Sequence, residues 1–403
     1  MSKYLNFFKL AGYPGYLLLG YDIVQLVLAR SNDGGGVDAV ALIFAAYSIL
    51  CLVYSFVEYF RKQVLFNHIL FKTPLVFFIL YTLFGMISCM WSDNLPLTLF
   101  RAMECLALLM LVVCVYIKLI RYKQVDVIYK WTMLYVVFDS FCKSLQAFWT
   151  GGFNAFIPGN GFWSICQFVA PLFFFLFFLH SDNKYFKYFI LLGAIFAKST
   201  VGYIAIVGSA FALFLGDKKS KRWGLVIFTL AIICNLALGF DGFMKATISS
   251  EHDVTNIEDS SGRNEIWEIG VWAYEQSPIY GHGFFYYENY ITKLMKGSYA
   301  IGMHNSYLSA LVGEGIIGLV LFSLFMIMML VYSLSNNIPR KYKAATLALM
   351  LSIIVETIGN PSIGFRVYGS WIPSMVGVVL IVIMAKYGNV LSCHFPKSKI
   401  PKI

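Results

Sequence analysis

Apolar residues run through this chain in long unbroken stretches rather than alternating with polar ones. About twelve stretches are long enough to cross a bilayer on the rule that roughly 20 apolar residues do so. They fall near residues 12–29, 37–58, 73–91, 97–119, 131–149, 162–180, 186–199, 200–216, 223–240, 306–334, 343–360 and 367–387. Continuous runs predict helices, because a spanning barrel needs short strands with period-two alternation. The pair 186–199 and 200–216 is short, and Lys198-Ser199-Thr200 lies where the two meet, so a tight turn or a broken helix is expected there. The first apolar run lacks a small-residue cleavage site and is followed at once by a second, which predicts a retained helix.

The pattern breaks once, over residues 241–305. Positions 246–262 are polar. From Arg263 onward Ile266, Trp267, Gly270, Val271 and Tyr274 recur at helical spacing, bounded by Ser-Ser-Gly before and Pro278 after, which predicts a helix of three to four turns. Gly281-His282-Gly283 reads as a turn, and Phe284–Met295 carries a second, aromatic-rich helical pattern. Both helices are expected to lie over one membrane face as a lid or platform. The expected architecture is an all-α, polytopic bundle of about 12 transmembrane helices with one long structured external loop. It divides into 1–240 (nine membrane helices), 241–305 (the loop) and 306–403 (three membrane helices). The loop is too short to bury a core of its own.

Composition agrees. Of 403 residues 59% are hydrophobic and only 13% charged, against roughly a quarter charged in soluble domains, and mean hydropathy is +0.71. The net charge of +10 does not point to nucleic acid, because the cations sit in short loops between apolar runs. With the N-terminus inside, about 22 of the 31 basic residues fall on the inner side, a strong positive-inside bias. Both termini are then cytoplasmic and the long loop lies outside, in the periplasm of a Gram-negative cell. Seven of the eight cysteines lie in apolar runs, so they read as small buried hydrophobes rather than a disulfide framework or zinc site.

Nine basic residues fall on the outer side: Arg30, Arg101, Lys143, Lys198, Lys245, Arg263, Lys293, Lys296 and Arg366. Arg101 lies near the outer end of the fourth run, Lys198 at the turn between the seventh and eighth, and Arg366 at the start of the last. Arg263 opens the loop helix. A cation in or near hydrocarbon is costly unless paired or wet, which makes each a functional candidate. Together they describe an external electropositive cup, for which phosphate or diphosphate is the plainest ligand. The alternative is pairing with Glu104, Glu314, Glu356 or lipid headgroups, and for Lys143, Lys245, Lys293 and Lys296 that alternative is favoured. His304, at the head of an apolar run, carries a group suited to proton transfer, although an interfacial histidine that only hydrogen-bonds backbone reads the same way. Asn305 is placed to cap the following helix. No metal-ligand spacing, Walker motif or G-x-G-x-x-G occurs, so neither a metal nor a nucleotide or other cofactor is expected. Trp163, Trp267, Tyr286, Tyr287 and Tyr290 are outer aromatics able to stack on sugar rings.

The succession Ser261-Gly262-Arg263 with Trp267, Pro278 with Gly281 and Gly283, His304-Asn305 with Tyr307-Leu308, and Gly313-Glu314-Gly315 with Gly318 resembles the O-antigen ligase/polymerase superfamily of bacterial membrane glycosyltransferases. Trp91-Ser92-Asp93 followed by Arg101 is similar to an earlier family segment. The resemblance implies a twelve-helix GT-C-like fold in the cytoplasmic (inner) membrane. It also implies metal-independent, inverting transfer of a glycan from an undecaprenyl-diphosphate-linked oligosaccharide. Family pattern gives Arg263 a diphosphate-binding role and puts His304 at the reaction centre. Lys198, Arg101, Arg366, Asn305, Glu314 and Trp267 join the expected substrate-binding set. Family members often carry Ser-Arg-Gly between spans seven and eight; this chain has Thr200-Val201-Gly202, leaving Lys198 as a point-charge substitute for a fork.

Three function classes are expected. The first is a transferase, most simply a polymerase of surface-polysaccharide repeat units, alternatively a ligase joining glycan to lipid A-core. It would work in the lipid bilayer beside chain-length regulator and flippase proteins. The second is a polysaccharide-related transporter or flippase, disfavoured because no two-fold repeat is present and the polar cluster lies at one face. The third is a non-catalytic scaffold.

Overall fold

A computed structural model describes residues 9–28, 39–157, 200–214, 263–285, 303–359 and 371–392, together with 196, 221–222, 224–226, 229, 363–364 and 367. All regular structure among them is helical: α1 Gly12–Val27, α2 Ala39–Arg61, α3 Gln63–Leu70, α4 Leu75–Ile87, α5 Leu95–Ile120, α6 Val125–Gly151, α7 Thr200–Leu213, α8 Arg263–Gln276, α9 Ser306–Ser333, α10 Arg340–Gly359 and α11 Trp371–Ser392. Hydrocarbon offers backbone groups no partner, so each apolar run closes its hydrogen bonds within itself as a helix. Among the described residues five helices are long and apolar enough to cross a membrane, or six if α3 and α4 are one bent span. The expected spans 162–180, 186–199 and 223–240 lie almost wholly outside the described residues, so the count of about twelve is neither reached nor refuted. Loop segments 241–262 and 286–302 lie outside them too.

Helix α5 is the hub. It packs against α1, α2, α4 and α11, and 83% of its most apolar window is buried. Helix α11 closes the core from the far side, with Trp371 and a run from Met375 to Met384 almost fully enclosed. Among the described spans helix α2 is the least covered: only 17% of its window is buried, and it turns Leu42, Ile49, Val53 and Phe56 outward, as a lipid-facing helix does.

Segment 59–72, expected as a loop, holds α3 instead. Phe66, Ile69 and Leu70 share one face and are buried, a short amphipathic pattern overlooked between two stronger ones. The chain turns through 89° into α4. Thr73 fixes the corner, its Oγ1 donating to the Ile69 carbonyl over 2.5 Å and accepting from the Leu75 amide over 3.3 Å. Helix α6 begins at Val125, six residues before the expected 131, because Trp131 and Tyr129 continue an unbroken buried face.

The two ends of the bundle differ. At one end Glu58 gathers Lys62, Arg61 and Lys118 at 2.5, 3.5 and 3.6 Å, and Lys386 reaches the His68 carbonyl at 2.8 Å. The other end carries α8 and the turn at 277–285. Among the described residues the cations after α2 and α5 thus gather at the end of the bundle away from α8.

Candidate functional site

Three short segments meet at the loop-bearing end: the start of α8, the turn after it, and the start of α9. Each is held by bonds that follow from its residue types.

Helix α9 begins at an Asn cap. The Asn305 side-chain oxygen accepts from the amides of Tyr307 (2.9 Å) and Leu308 (3.1 Å), satisfying donors a helix start leaves open. Just before it, the Met303 carbonyl accepts from Trp267 Nε1 over 2.8 Å. Across the same interface Gly270 of α8 faces Met303 and Leu308 so closely that a Cβ there would meet the Met303 methyl at 2.7 Å. His304 is therefore gripped from both sides. It lies in the left-handed region, with φ 49°, a conformation that costs a non-glycine residue of order 1 kcal/mol or more and that clusters at functional sites. Its side chain is half-buried.

Arg263 opens α8, as expected. Only its backbone is described. It stands one helical turn before Trp267, on the same face at i, i+4 spacing, so its position is tied to the segment that carries His304. Lys198 and Arg366 lie outside the described residues, and their proposed share in a cation cup stays an expectation.

The glycines of both motifs form a joint. Helix α9 is broken at Gly315 (φ 65°, ψ −159°), a region open essentially to glycine alone. The break frees backbone groups, and the turn takes them up. His282 N donates to Val312 O (3.0 Å), Gly283 N to Gly313 O (2.8 Å), and Ile316 N to Pro278 O (2.9 Å). Approach is backbone to backbone: a Cβ on Gly281 would sit 2.4 Å from the Gly313 carbonyl, and one on Gly315 2.3 Å from the Ile279 oxygen. His282 is part of this architecture, its Nε2 lying 2.7 Å from the Ala273 carbonyl. Ser88 Oγ ties the joint to α4, accepting from Phe284 N over 2.8 Å. The rings of Trp91 and Tyr280 meet at 5.7 Å.

Glu314 does not face an open surface. It is fully buried, enclosed by Gly85, Gly318 and Phe284, and neither carboxyl oxygen has a hydrogen-bond partner. The expectation that it touches substrate is not what this packing provides. Small residues around it leave room for a carboxyl beneath the turn.

Arg101 is already paired. Its NH1 donates to Glu104 Oε2 over 2.8 Å, and Tyr21 donates to Glu104 Oε1 over 2.6 Å. Phe100 and Phe285 cover the guanidinium at 5.0 and 5.2 Å. The pairing alternative holds for this cation, although Arg101 Nε has no hydrogen-bond partner and Phe285 brings the residue against the turn. Sequence reasoning weighed Glu104 only as an ion-pair partner and passed over Tyr21 entirely. A tyrosine and a glutamate inside apolar runs were the available signal.

Among the described residues no group of three or more His, Cys, Asp or Glu is placed to hold a metal ion. No curated protein matches the chain. Residues 185–323 match the family described as O-antigen ligase; within the described residues that stretch contains α7, α8, the turn and the first two-thirds of α9. That match covers about a third of the chain and supports its likeness to the O-antigen ligase/polymerase superfamily, membrane proteins of glycosyltransferase type.

Proposed function

We propose that this chain transfers a glycan from a polyprenyl-diphosphate carrier, of undecaprenyl type, to an acceptor hydroxyl on the outer face of the cytoplasmic membrane. The observation that carries the reading is the fixation of His304. A strained residue between a carbonyl held by Trp267 and an asparagine cap, at the membrane edge of α9, is a preorganised group.

In this reading the acceptor hydroxyl attacks the anomeric carbon. The bond from that carbon to the diphosphate oxygen breaks, and the configuration inverts. His304 orients the hydroxyl and takes its proton. Arg263 receives the departing diphosphate by bidentate hydrogen bonds, with Lys198 and Arg366 as further cations. Diphosphate is a good leaving group once its charge is met, so the scheme needs no metal. Arg101, neutralised by Glu104, backs Phe285 at the turn rather than offering a free fork. The basic end of the bundle is assigned to the cytoplasm on the positive-inside rule, which puts both termini there and the joint in the periplasm.

Polymerisation of surface-polysaccharide repeat units is the preferred form of the reaction, and ligation to lipid A-core its alternative. Deletion of the gene separates them. Loss of a polymerase leaves single repeats on the acceptor, whereas loss of a ligase strands polymer on the lipid carrier. Unchanged long-chain glycan in the deleted strain contradicts both.

A further inference from the structure

At the basic end of the bundle two lysines stand together without an acid. Lys72 lies just before the Thr73 corner, and Lys386 near the end of α11. The Lys386 Nζ donates to the His68 carbonyl over 2.8 Å, an acceptor that the last turn of α3 leaves open. The Tyr332 hydroxyl of α9 donates to the Lys72 carbonyl over 3.3 Å. Backbone bonds to α3, α9 and α11 therefore fix this pair, and Lys72 is the charged neighbour of Lys386. Each ammonium offers more donors than these bonds use.

Other cations are handled differently. Glu58 gathers Lys62, Arg61 and Lys118. Arg101 is paired with Glu104, and Lys143 with Asp139 at 2.5 Å. No ion pair among the described residues includes Lys72 or Lys386. The rest of the sequence adds more cations than acids to this end. Asp126 takes the Tyr342 hydroxyl. Asp182 and Asp217, in the other expected inner loops, are followed by Lys184 and Lys187 and by Lys218 and Lys219. Residues 393–403, which follow α11, carry Lys397, Lys399 and Lys402 and no acid. Like charges held side by side repel, so an anion between them is favoured.

The surroundings select the anion. The chain turns through 89° between α3 and α4, so α3 crosses the end of the bundle instead of continuing the span. Phe71, beside Lys72, is 50% exposed, and Val390, one turn beyond Lys386, is 64% exposed. Apolar side chains turned outward next to cations suit a phospholipid, whose phosphate meets the ammoniums while its acyl chains cover the apolar groups. A free phosphate ion would leave Phe71 and Val390 bare.

We propose that the corner between α3 and α11 binds one anionic phospholipid, its phosphate held between Lys72 and Lys386 and its acyl chains along Phe71 and Val390. The site lies at the end of the bundle away from His304 and does not rest on the transferase reading.

The test is titration of the full chain in mild detergent with dioleoyl phosphatidylglycerol, with binding followed by native mass spectrometry. The wild type is expected to bind this lipid roughly 30-fold more tightly than dioleoyl phosphatidylcholine, the effect of two cations at a membrane surface. Lys72→Gln with Lys386→Gln is expected to remove most of that preference. Lys123→Gln with Lys130→Gln takes the same charge from the same end of the bundle and is expected to keep it. Equal losses in the two double variants show diffuse attraction and overturn the site, as does a preference retained without Lys72 and Lys386. Inorganic phosphate that displaces the lipid at equal concentration identifies a free anion as occupant and also overturns it. If the Lys72–Lys386 variant does not fold, a photoactivatable phosphatidylglycerol on the wild type serves instead. Crosslinks at 68–72 and 386–390 support the site, and crosslinks that spare both stretches overturn it.

Discussion

The indole Nε1 of Trp267 donates to the Met303 carbonyl over 2.8 Å, and this bond holds the residue before His304 in place. Trp267→Phe keeps the aromatic bulk and deletes the bond. A net loss of about 1–1.5 kcal/mol is expected at this position, or roughly a tenfold fall in turnover if it is felt in the transition state. Membrane insertion should be unchanged. The check is transfer rate per inserted protein; an undiminished rate shows that His304 does not depend on this tether.

The break at Gly315 makes a sharper contrast. Gly315→Ala drives a Cβ to 2.3 Å from the Ile279 oxygen at a backbone angle of φ 65°, for which the strain alone is about 1–3 kcal/mol and backbone overlap adds more. The expected outcome is a large drop in melting temperature in detergent together with loss of transfer. Gly208→Ala in α7, where nothing lies within 4 Å of the added Cβ, should leave both unchanged or gain slightly. Equal effects would mean that the loop joint is not what the glycines serve.

Glu104 links Tyr21 to Arg101. Removing it alone, as Glu104→Ala, leaves a half-buried guanidinium uncompensated and should cost about 3–5 kcal/mol of stability. Tyr21→Phe should cost about 1–2 kcal/mol. Replacing both charges, Arg101→Met with Glu104→Met, should recover most of the stability lost in Glu104→Ala. Thermal unfolding of the three variants checks the order; a double variant weaker than either single one contradicts it.

No metal takes part in the proposed transfer. Exhaustive chelation of the purified protein should leave the rate within about twofold of the untreated value, since removing a Lewis acid from a metal-dependent transferase forfeits several kcal/mol. Activity lost on chelation and restored by a divalent cation contradicts the charge-only scheme.

Much of this was legible in the residues. Apolar runs gave the helices α1, α2, α4, α5, α9, α10 and α11 within a few positions, because hydrocarbon allows a chain few alternatives to a helix. Loop helix α8 was visible from its heptad-like spacing and its bounds, and the Asn305 cap from its place before a run. Less could be read where meaning depends on who stands opposite. For Arg101 a ligand-binding cation and a partner of Glu104 read alike in sequence, and only the packing shows Glu104, three residues on, holding it. Glu314 looked like a ligand contact because a motif carboxylate is conspicuous in sequence, yet burial is decided by Gly85 and Phe284, far away along the chain. Asp22 and Asp139 drew no notice because each sits singly in its own run, and only packing of α1 on α6 brings both to one cleft. Asn305 turned out to spend its side-chain oxygen, and Trp267 its indole nitrogen, on backbone beside His304.

The most direct measurement is single-turnover transfer by the purified chain in lipid vesicles, with a polyprenyl-diphosphate-linked glycan as donor, comparing the wild type with His304→Ala and Arg263→Ala. Both variants are expected to insert normally and to lose at least about 100-fold in rate, the lower range for removal of a proton-transfer group or an oxyanion-stabilising donor. Wild-type rates in both variants would contradict the account.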